Sequence, residues 1–120
     1  MESTAHLSGR KVMVVEDEFL IADSIAELLR DEGVEVIGPV GSVQKSVELL
    51  AATPQIDAAM IDVNLRGEFS YDVADGLLAR GVPFAFMTGY DEGVIPARFS
   101  AVRRFQKPTD PVGIAALLLT

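Results

Sequence analysis

Residues 12–20 read VMVVEDEFL. Four apolar residues suited to a buried strand, Val12 to Val15, run directly into Glu16, Asp17 and Glu18. Neighbouring carboxylates repel one another, and each is costly to take out of water without a partner. Two structures reconcile the run. The acids could form a solvated turn that places negative charge at the N-terminus of the following helix. Alternatively, they could end a buried strand at a cation site. The choice between them depends on what the rest of the chain brings to the same place.

The pattern beyond this stretch is strand, helix, strand, repeated. Lys11–Glu16 is a short valine-rich run of the kind buried on both sheet faces. From Phe19 to Arg30 the apolar residues Ile21, Ile25, Leu28 and Leu29 form a helical stripe that Gly33 stops. Residues 34–40 read as a second strand. Ser42 caps a helix with the stripe Val43, Val47 and Leu50, closed by Pro54. Ile56–Val63 is a third strand, residues 64–70 a loop, and Tyr71–Arg80 a helix ending at Gly81. Pro83–Met87 and the weaker Ala101–Gln106 complete five strands, and Asp110–Leu119 closes the chain as a helix. Met1–Gly9 shows no periodicity and reads as a flexible lead-in, leaving residues 10–120 as one domain. Such alternation with short connections predicts an α/β fold: a parallel sheet with helices on both faces. The fourth helix is expected to be weak or absent, because Asp91–Ser100 holds Gly93 and Pro96 and has no stripe.

Composition narrows the function. Of 120 residues, 49% are apolar and 23% charged, which fits one globular domain with one core. Eighteen acids against ten bases give a net charge of −8, which argues against binding nucleic acid or an anionic membrane surface. Cysteine is absent, so disulfides and thiolate metal sites are excluded. No apolar run approaches a membrane span and no secretory signal is visible, so a cytoplasmic domain is expected.

In an open α/β sheet, ligands bind beyond the carboxyl ends of the strands. Strand one ends in Glu16 and Asp17, strand three carries Asp62, strand four ends in Thr88, and strand five runs into Lys107. If strands one and three are neighbours, the carboxylates of Asp17 and Asp62 converge with Glu16 close by, a hard-oxygen site suited to Mg²⁺. An aspartate there can act as a nucleophile toward phosphorus, with a cation, a lysine and a hydroxyl around the phosphoryl oxygens. Each residue alone has an ordinary reading: Asp62 as a strand-end cap, Thr88–Gly89 as a turn, Lys107–Pro108 as a surface exit. Polar residues at four strand ends on one rim favour the site.

The motifs VVEDE, IDVNL, FMTGY and QKP, one at each of four strand ends, resemble those of response-regulator receiver domains of two-component signalling, over about residues 10–120, which implies a doubly wound, flavodoxin-like α/β sheet of five parallel strands in the order 2-1-3-4-5. The resemblance implies that Asp62 accepts a phosphoryl group from a phosphohistidine of a sensor histidine kinase or a histidine phosphotransfer protein. It implies that Asp17 ligates Mg²⁺, with Glu16 assisting, and that Asp62 and the backbone carbonyl of Asn64 supply further ligands. Lys107 and Thr88 would contact the phosphoryl group, Lys107–Pro108 would be a cis peptide, and the first helix and rim loops would dock the phosphodonor. The domain would dephosphorylate itself slowly rather than turn over as an enzyme, and would switch the binding of a downstream protein partner.

One position departs from the pattern. Receivers carry a tyrosine or phenylalanine three residues before the lysine, where this chain has Arg104, and Phe105 points to the opposite sheet face. PFAFMTGY resembles the subgroup with a Phe-Ala-Thr-Gly-x-Tyr signature, often single-domain, which makes Tyr90 and the segment after it the expected switch.

Three other readings fit less well. A haloacid-dehalogenase-type phosphatase needs a second aspartate where Asn64 stands. A flavodoxin-like FMN binder needs a Ser/Thr-rich phosphate loop where Glu-Asp-Glu stands. A pseudo-receiver would lack one of the acid pair, Asp62 or Lys107. Whether the domain acts alone or within a longer chain stays open.

Overall fold

The computed structural model describes residues 5–89 and 95–120. Five parallel strands form the main sheet: β1 (Lys11–Val15), β2 (Glu35–Val40), β3 (Ala58–Asp62), β6 (Phe84–Thr88) and β7 (Arg103–Gln106), in the order β2-β1-β3-β6-β7. Between β3 and the third helix lie two further strands of two residues each, β4 (Asn64–Leu65) and β5 (Glu68–Phe69), paired as a hairpin. With that hairpin set aside, the order is the expected 2-1-3-4-5.

The valine-rich and alanine-rich runs become the sheet centre because they can be buried on both sides. Every residue of β3 is buried, as are Val12–Val15 of β1 and Phe84–Met87 of β6. Alternation divides their side chains between two cores. Met13, Val15, Ala59, Ile61 and Phe86 meet Val43 and Leu50 of α2 (Val43–Ala52) and Val73 and Leu77 of α3 (Tyr71–Ala79). Val12, Val14, Ala58, Met60 and Met87 meet Ile25 and Leu29 of α1 (Phe19–Asp31) and Ile114 and Ala115 of α4 (Pro111–Leu118). The edge strands β2 and β7 are the less buried ones.

Helix limits follow local chemistry. Ser42 Oγ accepts from Lys45 N–H and Asp110 Oδ1 from Gly113 N–H, capping α2 and α4, with Pro111 in the first turn of α4. Gly33, at φ 82°, ends α1: its N–H bonds the Arg30 carbonyl while Val34 N–H bonds that of Leu29. This paired pattern needs a left-handed residue.

The structure differs from the sequence reading in three places. Leu28 and Val47, placed on buried stripes, are exposed, and Ala22, Ala26 and Ser46 face the core instead. Small residues let a helix approach the sheet closely, and a hydropathy pattern undervalues them. Residues 64–70 are not an irregular loop. Arg66 and Gly67 have φ 54° and 90°, the two positive values a tight hairpin turn requires, and arginine in the first place hides it. The lead-in is not loose throughout: Ala5–Leu7 form a 3₁₀ turn, Leu7 is fully buried beside α4, and Gly9 N–H bonds the Gly33 carbonyl. Of the weak Asp91–Ser100 segment, residues 91–94 lie outside the described residues, and Ala97–Phe99 form one 3₁₀ turn.

Helices α2 and α3 are joined by more than apolar contact. Gly76 lets α3 approach the Leu50 side chain, where a Cβ would come within 2.5 Å. Arg80 donates to the carbonyls of Leu50, Thr53 and Pro54 at 2.7, 2.8 and 3.0 Å, closing the C-terminal end of α2. Arg80→Ala is expected to destabilise the domain by about 1–2 kcal/mol, discounted for exposure. In urea this appears as a lower midpoint at an unchanged slope. A midpoint equal to the parent's would remove Arg80 from this role.

Candidate functional site

Strand register decides where the acids meet. Val15 pairs with Ile61 across β1 and β3, so Glu16 and Asp62, one residue further along, stand level at the carboxyl edge. Carboxylate oxygens of Glu16, Asp17 and Asp62 all lie within 4.8 Å of one another. Glu16 and Asp62 are buried and Asp17 is half-buried. Glu18, the third acid of the opening run, is exposed at the N-cap of α1, so for it alone the solvated-turn reading is right.

Lys107 leaves β7 and reaches back over the end of β6. Its Nζ lies 2.6 Å from Asp62 Oδ2 and 2.9 Å from Glu16 Oε2. Lys107 N–H bonds the Thr88 carbonyl, and Lys107–Pro108 is cis, as the resemblance implies. Backbone donors complete the carboxylate shell. Asn64 N–H bonds Asp62 Oδ1 at 3.1 Å, Arg66 N–H bonds Asp17 Oδ2 at 3.1 Å, and Glu18 N–H bonds Glu16 Oε1 at 3.2 Å.

Glu16 is the anomalous member. Burial raises its pKa from the ordinary 4.5 to about 7, against the lowering hydrogen bond from Lys107, and the charge of Asp62 raises it further. Its Oε2 is buried, with the Lys107 ammonium 2.9 Å away as its one polar partner among the described residues. A buried, under-satisfied carboxylate oxygen beside two more carboxylates is a donor set that a hard divalent cation would satisfy. Burial opposes the charge on Lys107, yet its hydrogen bonds to Asp62 and Glu16 outweigh that and hold its pKa above the usual lysine value. The ammonium therefore stays charged at neutral pH. A cleft of about 250 Å³ opens beside Glu16 and Asp17, lined also by Phe19, Asp23, Gly41 and Arg66 among others. Gly41 leaves this space: a Cβ there would stand 3.3 Å from Asp17 Cα.

Of the residues singled out by sequence, Glu16, Asp17, Asp62 and Lys107 converge, and Asn64 adjoins them through its backbone N–H. Thr88 ends β6 half-exposed, its hydroxyl 3.5 Å from the Phe105 carbonyl. Arg104 is exposed on β7, while Phe105 packs toward the α1–α4 core, as alternation requires. Tyr90 lies outside the described residues. Sequence reasoning missed the Arg66 amide on Asp17 and the double reach of Lys107. The Arg66–Gly67 pair was the only available signal for the first.

No protein-family profile matches the sequence. Among curated proteins, the transcriptional regulatory protein PdtaR of Mycobacterium tuberculosis is 33% identical over 84 residues, 69% of this chain and 40% of that protein. The chain thus spans well under half the length of that relative. Among solved structures, SdrG of Sphingomonas melonis superposes with a TM-score of 0.78 at 34% identity, covering 99% of this chain and 100% of that one. A CheY-like response regulator receiver domain from Methylobacillus flagellatus shares the fold at 21% identity and a TM-score of 0.74, covering 91% of this chain and 95% of its own. With the sheet order, the acid cluster and these relatives together, the chain belongs to the response-regulator receiver domains of two-component signalling.

Proposed function

We propose that this domain takes a phosphoryl group onto Asp62 from a phosphohistidine of a sensor histidine kinase or histidine phosphotransfer protein, and that the modified domain changes its binding to a downstream protein partner. The observation that carries this reading is the meeting of Asp62, Asp17, Glu16 and Lys107 from three strand ends at one carboxyl edge of the sheet.

An Asp62 carboxylate oxygen attacks phosphorus, the P–N bond breaks, and its electron pair returns to the ring nitrogen. An imidazole already protonated on its other nitrogen then leaves neutral. Lys107 shields the carboxylate from the incoming negative group and faces the charge spread over the phosphoryl oxygens. Glu16, Asp17, Asp62 and the carbonyl of Asn64 would hold Mg²⁺, which when bound neutralises the acids and the phosphoryl oxygens. Thr88, at the end of β6, is the nearest strand-end hydroxyl for one of those oxygens. Asn64 stands where a hydrolase would need an acid, which leaves water poorly activated. The acyl phosphate is therefore lost slowly, and the domain is an acceptor rather than a turnover enzyme.

The surroundings suit a protein phosphodonor. Phe19 and Leu20, at the start of α1, are 78% and 80% exposed. An apolar groove of about 520 Å³ runs between α1 and the Lys107–Pro111 loop, lined in part by Leu20, Ile21, Ile25, Met87 and Pro108. No helix of the described residues is long and apolar enough to cross a membrane.

Acetyl phosphate with Mg²⁺ should add one phosphoryl group, located on Asp62 by mass spectrometry, and no group should be added when the metal is chelated beforehand. Asp62→Asn should label at background with an unchanged fold. Lys107→Ala should label about a hundredfold more slowly, the usual loss of one electrostatic stabiliser. Label at the parental level on the Asp62→Asn protein would defeat the assignment.

Glu16 supplies a pH signature in the metal-free protein. A carboxyl whose pKa is higher folded than unfolded binds more protons in the native state between the two values, so stability falls as pH rises through that interval. Here the interval runs from about 4.5 to about 7. The loss should reach about 3 kcal/mol, at 1.36 kcal/mol per unit. Urea melts in chelator should show this slope in the parent and not in Glu16→Gln. Parallel curves would remove Glu16 as its source.

A further inference from the structure

Residues 64–69 form a hairpin fastened at both ends. At one end its backbone donates to two carboxylates of the cleft, Asn64 N–H to Asp62 Oδ1 and Arg66 N–H to Asp17 Oδ2. Arg66 does this from φ 54°, a left-handed conformation that residues with a Cβ adopt at a cost. The bond to Asp17, together with Gly67 N–H to Asn64 Oδ1 at 2.8 Å, helps to hold it there.

At the other end, Phe69 lies about half exposed and flat on Tyr71, ring centres 5.2 Å apart and planes within 4°. Tyr71 in turn meets Phe99 at 5.5 Å, and buried Phe99 meets Phe86 edge-on at 5.4 Å. Arg98 sits 4.5 Å over the Phe99 ring and makes two hydrogen bonds to Asp75 on α3, at 2.8 and 3.1 Å. The Ala97–Phe99 turn is therefore seated on α3 and the hairpin by ring faces and one planar guanidinium. The next strand, β7, offers solvent-facing Arg104 where an inward-swinging aromatic would otherwise act.

Resting on the reading of Asp62 as phosphoacceptor, we propose that the β4–β5 hairpin carries the state of the carboxylate cleft to the Ala97–Phe99 turn through the Phe69–Tyr71–Phe99 stack, with the Arg98–Asp75 pair as the latch that sets the resting position. When Asp62 becomes an acyl phosphate, one oxygen carries phosphorus and the carboxylate loses its charge. The acceptor that holds Asn64 N–H weakens at that moment. A hairpin of two residues per strand has little internal bonding with which to absorb such a change. Close-packed rings pass a displacement on, because a small gap between them already forfeits much of their contact energy.

The test compares amide ¹H–¹⁵N spectra of the intact chain with and without beryllofluoride and Mg²⁺. In the parent, Asn64, Arg66 and residues 99–102 should all shift. In Phe69→Ala, Asn64 and Arg66 should shift as in the parent, while the shifts at residues 99–102 fall at least twofold. Phe69→Leu, which keeps apolar bulk without a flat face, should behave likewise and guards against loss of folding. Arg98→Gln should move the resonances of residues 99–102 toward their activated positions before any beryllofluoride is added. Full-size shifts at residues 99–102 in both Phe69 variants, with Asn64 and Arg66 responding, would overturn the coupling and leave the phosphoacceptor reading intact. Unmoved Asn64 and Arg66 in the parent would instead overturn that reading, and the coupling with it.

Discussion

The structure turns on one ammonium group shared by two buried carboxylates. Lys107 sits within 3 Å of both Asp62 and Glu16, and those acids end two adjacent strands. Buried charge is tolerated only where it is paired, and removing one partner strands the other at high cost. Lys107 comes from β7, two strands away from β3, a separation of roughly 10 Å at ordinary strand spacing. Its side chain must therefore cross the end of β6, and the half-exposed Thr88 and Gly89 stand where it crosses. The strand order, the lysine's length and the small residues at the end of β6 are one connected requirement.

Around that requirement the molecule divides into a rigid part and an adjustable part. Strands β1, β3 and β6 are buried on both faces and have no freedom to slip, because a one-residue shift would turn every side chain to the wrong core. The edge strands and the rim are less constrained. The exposed Phe19 and Leu20, the apolar groove beside Lys107, the short hairpin and the Ala97–Phe99 turn all lie at the carboxyl edge or next to it. The sheet thus holds the carboxylates and Lys107 in place, and the rim elements around them are less tightly built in.

The departure at Arg104 takes on meaning in this frame. With arginine facing solvent and Phe105 committed to the α1–α4 core, β7 has no aromatic to turn inward. The aromatic surface near the site is instead built from Phe69, Tyr71, Phe86 and Phe99, contributed by the hairpin, α3, β6 and the turn before β7.

Much of this was legible in the sequence. Val12–Val15 running into Glu16–Glu18, the alternation of short apolar runs with striped segments, and polar residues at four strand ends were enough to give the fold class and to point to the acid cluster, while the sheet order came with the likeness of the strand-end motifs to receiver domains. Those features are local or periodic, and hydrophobic burial acts on them directly. What the sequence left out depends on distance in space. Nothing local says that Leu28 and Val47 face water while Ala22 and Ser46 face the sheet, since that depends on how closely each helix approaches. Nothing local says that Arg66 will take a left-handed conformation, because the carboxylate of Asp17, 49 positions earlier, helps to hold it. The raised pKa of Glu16 and the double reach of Lys107 likewise exist only once three strand ends share one dry edge, where desolvation and charge act across space and not along the chain.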